Sequence, residues 1–326
     1  DALQTQLPLN TLVEPGFEIA TTGSSHQISH GPTVIIAGRP YFRSEELKDR
    51  AEQQGIASAL ASGYAEHAQD IFKLLFGSFC CAIIDSQANR VLLAIDRLGQ
   101  EAMYYRATDE EFCFGSSAST VLASEDGEPV LLNQGIYNYV YFHMVPSPGS
   151  VYSRLKKLPA AHYVDYHHGQ CRLVNYWQPE FSDASNGQSF EQLSEQLKET
   201  LRTSVENCLS GAGKVASFLS GGLDSSTVTG LLAEVSKRET EAYSIGFSAE
   251  GYDEMAYARI TARHFDVKLN EYYVTPQDVV DALPMIATSY DEPFGNSSAL
   301  PAYFCAKMAV ENGVTTLLAG DGGDEI

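Results

Sequence analysis

The sequence predicts an α/β protein in two parts, a β-rich first part over residues 1–180 and a doubly wound parallel sheet over 190–326. Three observations predict it. Short apolar runs separated by turn residues fill the first part. From residue 215 onward, strand-like and helix-like patterns alternate, which calls for a parallel sheet with helices on both faces. Between the two lies Phe181 to Ser189, a polar stretch of Ser, Asp, Asn and Gly that reads as a linker.

In the first part, Val34-Ile35-Ile36, residues 79–84 and residues 91–95 read as strands. Residues 44–62 read as one helix with Glu, Lys and Arg on one face. Residues 163–166 and 171–174 flank His167-His168-Gly169-Gln170 as a hairpin, with the two histidines decorating its turn. Lys156-Lys157 reads as a solvated basic pair, and the aromatic run 137–142 as packing at the domain junction. In the second part the expected order is helix 190–209, strand 215–219, helix 225–237, strand 242–247, helix 255–265, strand 269–274, helices 276–290 and 299–312, and strand 315–319.

The chain has 326 residues and a formal net charge of −21. That charge argues against nucleic-acid binding, which needs a basic surface. No apolar stretch is long enough to cross a bilayer and no signal-peptide pattern opens the chain, so no membrane role and a cytoplasmic location are expected. Six cysteines without a C-x-x-C pair read as reduced, buried thiols.

The sharpest motif is Ser220-Gly221-Gly222-Leu223-Asp224-Ser225-Ser226, after the apolar strand 215–219 and at the opening of a helix. Backbone N–H groups and the positive end of a helix dipole make such a turn an anion site. Gly221 and Gly222 let the backbone approach phosphate, and Ser220, Ser225 and Ser226 offer hydroxyls. The loop has no lysine and is not a Walker A loop. Asp224 beside a polyphosphate requires a bridging divalent cation and reads as a Mg²⁺ ligand. Gly320-Asp321-Gly322-Gly323-Asp324-Glu325 follows the strand 315–319. If strands 215–219 and 315–319 are neighbours at a topological switch point, Asp224 and Asp324 face one crevice and both bind the metal. Tyr243-Ser244-Ile245-Gly246-Phe247 ends a strand in a glycine on which a flat base could lie.

In this order, residues 220–226, 244–247, Asp291-Glu292-Pro293-Phe294 and 320–325 resemble the asparagine synthetases, and with variations the β-lactam synthetases and lasso-peptide cyclases. The resemblance implies an adenine nucleotide alpha hydrolase-like domain that activates a carboxylate, aspartate first among candidates, as an acyl-adenylate and lets ammonia or an amine displace AMP. It implies pyrophosphate held by 220–226, adenine cradled by Leu219, Ile245 and Gly246, Gly320 beside the nucleotide, and Mg²⁺ on Asp224 and Asp324. Asp321 would lie next to the acyl-adenylate and Glu292 near the acceptor, as catalytic candidates. A homodimer is also implied. Intramolecular amide closure, or a non-catalytic nucleotide-binding scaffold, are the alternatives.

Leu75-Phe76-Gly77-Ser78-Phe79, Asp96-Arg97-Leu98-Gly99 and Tyr176-Trp177 resemble the class II glutamine amidotransferases, which implies an Ntn-hydrolase-like αββα sandwich. That fold uses an amino-terminal cysteine as nucleophile. Asp1 and Ala2 open this chain, and Ala37-Gly38-Arg39-Pro40 stands where the family has Asn-Gly-Glu, so a silent glutaminase is expected. The family continues well past the Gly-Asp-Gly-Gly-Asp-Glu motif, so a chain ending at Ile326 is expected to be incomplete at its carboxyl end.

Overall fold

The computed structural model describes residues 10–14, 17–21, 24–26, 31–108, 111–123, 128–181, 187–209, 213–236, 238–248 and 253–323. The chain divides into two compact units. The first is Asp1–Glu180 with Asp291–Phe294, and the second is Phe181–Tyr290 with Gly295–Ile326.

The first unit is built on strands β1 (Ser24–His26), β2 (Thr33–Gly38), β3 (Phe79–Asp85), β4 (Arg90–Ile95), β5 (Tyr104–Ala107), β6 (Phe112–Gly115), β7 (Lys156–Lys157), β8 (His162–His167) and β9 (Gln170–Asn175). A six-stranded sheet runs β9-β8-β4-β3-β2-β1, and a three-stranded sheet runs β6-β5-β7. Every residue of β3 from Phe79 to Ile84 is buried, because both faces of the large sheet are covered. Side chains alternate along a strand. Phe79, Cys81 and Ile83 therefore pack against helices α1 (Glu45–Gln54) and α2 (Ile56–His67), while Cys80 and Ala82 pack against Tyr105 of the small sheet. The short helix α3 (Ala118–Leu122) packs on the far side of the small sheet, against Tyr104. The layers are thus α, β, β, α, the expected sandwich.

The helix expected over 44–62 is two helices. Gly55, at φ 88°, takes a backbone conformation that side-chained residues avoid, and it ends α1 and starts α2. Residues 137–142 lie in helix α4 (Asn133–Phe142), where Tyr137, Val140, Tyr141 and Phe142 stand more than half exposed. The hairpin at His168-Gly169 turns through two positive φ angles, 49° and 76°.

The second unit follows the alternation in the sequence. Helix α5 (Phe190–Leu209) is followed by β10 (Val215–Phe218), α6 (Leu223–Val235), β11 (Glu241–Phe247), α7 (Met255–His264), β12 (Lys268–Val274), α8 (Pro276–Ser289), α9 (Ala299–Glu311) and β13 (Thr316–Leu318). The strands form one parallel sheet in the order β12-β11-β10-β13. Alternation again sets the faces. Val215, Leu219 and Ala242 meet α5, α6 and α7 on one side, while Ala216, Phe218 and Tyr243 meet α9 on the other. The sheet is doubly wound, as the sequence predicts. The chain leaves β10 toward β11 and β12, then returns to place β13 on the opposite flank of β10. That reversal is a topological switch point, where ligands bind in open α/β sheets.

Candidate nucleotide and metal site

Val215 pairs with Thr316 and Ser217 with Leu318 in parallel register, so β10 and β13 end side by side. The turn after β10 carries Ser220, Gly221 and Gly222, and the turn after β13 carries Gly320 to Gly323. The two meet at Asp224. A Cβ on Gly320 would lie 2.7 Å from the Asp224 carbonyl carbon, and a Cβ on Gly323 would lie 2.5 Å from its carboxyl carbon. Only glycine tolerates such an approach, so both glycines are needed to seat the acid. The expectation that the two turns share one crevice thus has a geometric basis. Asp324, the second expected metal ligand, lies outside the described residues.

The turn is shaped by its own hydroxyls. Ser220 and Ser225 hydroxyls are 3.0 Å apart, the Gly222 N–H donates to Ser220 Oγ at 3.2 Å, and the Ser220 N–H donates to Ser225 Oγ at 3.3 Å. The Ser226 hydroxyl is hydrogen-bonded to the Thr261 hydroxyl of α7 at 3.0 Å, which ties the turn to that helix. Gly221, at φ 96°, presses against α7, where a Cβ would sit 2.6 Å from Tyr257 Cβ. Helix α6 starts at Gly222 without a side-chain cap. Its first-turn N–H groups at Leu223, Asp224 and Ser225 make no hydrogen bond among the described residues. Orphan donors at a helix N-terminus, together with the dipole, favour an anion. Asp224 itself complements that dipole, which is the plain structural reading of a first-turn acid. Its placement between two glycine turns adds more than that reading needs.

Leu219 follows β10, and Ile245 and Gly246 lie toward the end of the neighbouring strand β11. Leu219 is 1% exposed and its side chain packs on Met255 and Ala258 of α7, so only its backbone could touch a ligand. Ile245 packs against α9. Gly246 is buried, and the side on which a Cβ would stand is covered by the Tyr273 ring, 2.6 Å away. The two are register partners on β11 and β12. Asp321 is exposed on the turn after β13.

Glu292 is placed elsewhere. With Asp291, Pro293 and Phe294 it belongs to the first unit. Its side chain is 7% exposed. One oxygen accepts the Val151 N–H at 2.8 Å, and the other lies 2.6 Å from Lys157 Nζ and 3.5 Å from the Tyr104 hydroxyl. A carboxylate held in this way is no free acid facing an acceptor, which corrects the catalytic expectation. Lys157 is corrected too. It is 20% exposed and ion-paired, not solvated. Sequence reading missed it although β7 pairs Lys157 opposite Tyr104, a spacing that sets both side chains on one face.

Among the described residues, no group of three or more His, Cys, Asp and Glu is placed to hold a metal, and no helix is long and apolar enough to cross a membrane. Cys80, Cys81 and Cys305 are buried as expected, but Cys171 and Cys208 are exposed. Burial pushes the Cys80 thiol up to about 12, and raises Cys81 further. Neither is a thiolate at neutral pH, so neither is an alternative nucleophile.

Residues 196–326 match the sequence model of the family described as asparagine synthase, and residues 43–177 match the glutamine amidotransferase domain. A putative glutamine-hydrolyzing asparagine synthetase of Methanocaldococcus jannaschii is 30% identical over 309 residues, covering 92% of this chain and 59% of that relative. A glutamine-hydrolyzing asparagine synthetase of Bacillus subtilis is 24% identical over 300 residues, covering 90% of this chain and 47% of that relative. The chain thus spans about half the length of the curated relatives that it matches.

Proposed function

Because the chain belongs to the asparagine synthetase family, we propose that its second unit is the nucleotide-binding part of an ATP-dependent ligase that joins a carboxylate to ammonia or an amine. In this reading the turn at 220–225 holds the pyrophosphate end of ATP by backbone N–H groups. The acid to be activated attacks the α-phosphorus, pyrophosphate leaves, and the nitrogen nucleophile then displaces AMP from the acyl-adenylate. The protein contributes in-line positioning and fixed dipoles where negative charge builds. The residues fit a divalent cation in one respect. Asp224 is an oxygen donor in the first turn of α6, with Gly320 and Gly323 packed closely on it. Asp224 and Asp324 would hold Mg²⁺, which would offset the charge of the triphosphate. Asp321 is the acid assigned to the acyl-adenylate side.

One observation carries this reading: β10 and β13, remote in sequence, end side by side, with Gly320 and Gly323 of the second turn packed on Asp224. Aspartate is the proposed acceptor acid. The nitrogen donor is proposed as free ammonia or an amine, since Ala37-Gly38-Arg39-Pro40 departs from the family's Asn-Gly-Glu inside the described first unit. The test is ATP–pyrophosphate exchange, run with aspartate and with larger amino-acid derivatives. Exchange that depends on aspartate supports the proposal. Exchange only with a larger derivative transfers the assignment to intramolecular closure, and none with any acid refutes the ligase.

A further inference from the structure

Glu292 sits in a site of unusual cost. Burying a carboxylate and an ammonium is expensive unless the pair is close and fully hydrogen-bonded. Here the socket is complete. Lys157 Nζ also donates to the Val145 carbonyl at 2.8 Å, and the Val151 N–H and Tyr104 hydroxyl take up the remaining acceptor capacity. Burial first, then the nearby Glu292 charge, raises the Tyr104 phenol, so it stays protonated and can donate. The neighbouring Asp291 is held as well. Its carboxylate accepts the Ser117 hydroxyl at 2.7 Å and its carbonyl accepts the Tyr152 hydroxyl at 3.3 Å.

These four residues come from the connector between α8 and α9. Its flanks, Tyr290 and Gly295, group with the second unit, while Asp291–Phe294 group with the first. A connector held by two acids and five polar partners is constrained far beyond what a surface loop needs.

We propose that Lys157, Tyr104 and the Val151 N–H form a socket for Glu292, and that Glu292 is a positioning residue that fixes the segment Asp291–Phe294. The socket itself does not depend on the ligase reading. That the connector borders the acceptor acid does rest on it.

The test uses chymotrypsin, because Tyr290 and Phe294 bracket Glu292 and both are 43% exposed. Lys157→Met and Glu292→Gln should each speed cleavage at these two sites by at least about tenfold, as expected where local opening governs cutting. Lys157→Arg should restore most of the resistance. The double variant should cut no faster than the faster single variant, since both remove one interaction. Circular dichroism checks that the variants are folded. If Lys157→Met does not fold, Tyr104→Phe removes one hydroxyl only and should give a smaller increase at the same sites. Unchanged cleavage in these variants, or single effects that multiply in the double variant, overturns the socket. The kinetic arm is ATP–pyrophosphate exchange, where Lys157→Met should raise KM for the carboxylate more than it lowers kcat. An equal change in stability with no such split overturns the positioning role. Exchange absent even in the unsubstituted protein, with the protease result intact, refutes the ligase reading and leaves the socket standing.

Discussion

At the residue scale, Asp224 and Glu292 show how the same carboxylate takes opposite roles. Asp224 stands at a helix N-terminus, with neighbours reduced to glycine so that it can be approached. Glu292 is enclosed and its oxygens are all bonded. The space beside Asp224 makes a direct prediction. Gly323→Ala would put a methyl 2.5–2.8 Å from the Asp224 carboxyl group and displace it. Pyrophosphate exchange should fall by about 100-fold, the usual loss when a group that stabilises transition-state charge is moved. Thermal unfolding should be little changed, because both residues are at the surface. Equal activity in the alanine variant would show that the acid plays no part.

Glu241, buried at the start of β11, is a third case. Lys214 at 2.7 Å, then Tyr243 and Lys268, hold its carboxyl down to about 2 against an ordinary value near 4.5. The folded state therefore binds the proton less readily than the unfolded chain. The resulting stabilisation is fully present above about pH 4.5 and is lost as pH falls toward 2. Glu241→Gln should lower the urea midpoint at pH 7, and the gap from the unsubstituted protein should narrow across that window. A gap that does not depend on pH would refute the assignment.

At the element scale, the alternating pattern of the second unit was readable because its helices and strands are bounded by strong local features. Thr275 and Asp278 form a capping box with Pro276 in the first turn, and α8 starts there as expected. Strands β10 and β11 are mostly buried, as in a parallel sheet covered on both faces. What the sequence hid is contact between remote elements. Nothing near Gly246 in the chain announces that Tyr273 covers it. Nothing near Lys157 announces a partner at residue 292, so a pair of lysines read as solvated. The break at Gly55 was legible but passed over, because the apolar pattern continues across it.

Helix packing supplies another prediction. Gly230 on α6 meets the Phe265 ring, and a Cβ there would lie 2.5 Å from the nearest ring carbon. Alanine gains roughly 1 kcal/mol in helix propensity, but forcing a ring out of place costs about 1–3 kcal/mol. The second effect should win, so Gly230→Ala should lower the midpoint of thermal unfolding. A rise would mean that the ring moves freely.

At the scale of the whole molecule, the chain joins an amidotransferase-type sandwich to a doubly wound parallel sheet. The fold of each was legible from its strand pattern and motifs. The site was legible only in part: the turn and Asp224 were named, while the packing of Leu219 on α7 and of Tyr273 beside Gly246 was not. Motif spacing marks where a backbone turns but does not show which face a neighbouring side chain occupies. Loss of glutamine hydrolysis is a prediction at this scale. Incubation with glutamine should release no glutamate above background, while added ammonia supports turnover. Clear glutamate release would contradict it.

The central claim is that the turn after β10 and Asp224 together bind the phosphate tail of a magnesium nucleotide. Calorimetric titration of the protein with Mg²⁺ and ATP, set beside the same titration of Asp224→Asn, tests it most directly. Saturable binding that is weakened at least about tenfold by the substitution is the predicted result, since a metal-bridging charge is worth more than 1.4 kcal/mol. Equal affinity in the two proteins, or no binding by the unsubstituted one, would contradict the account.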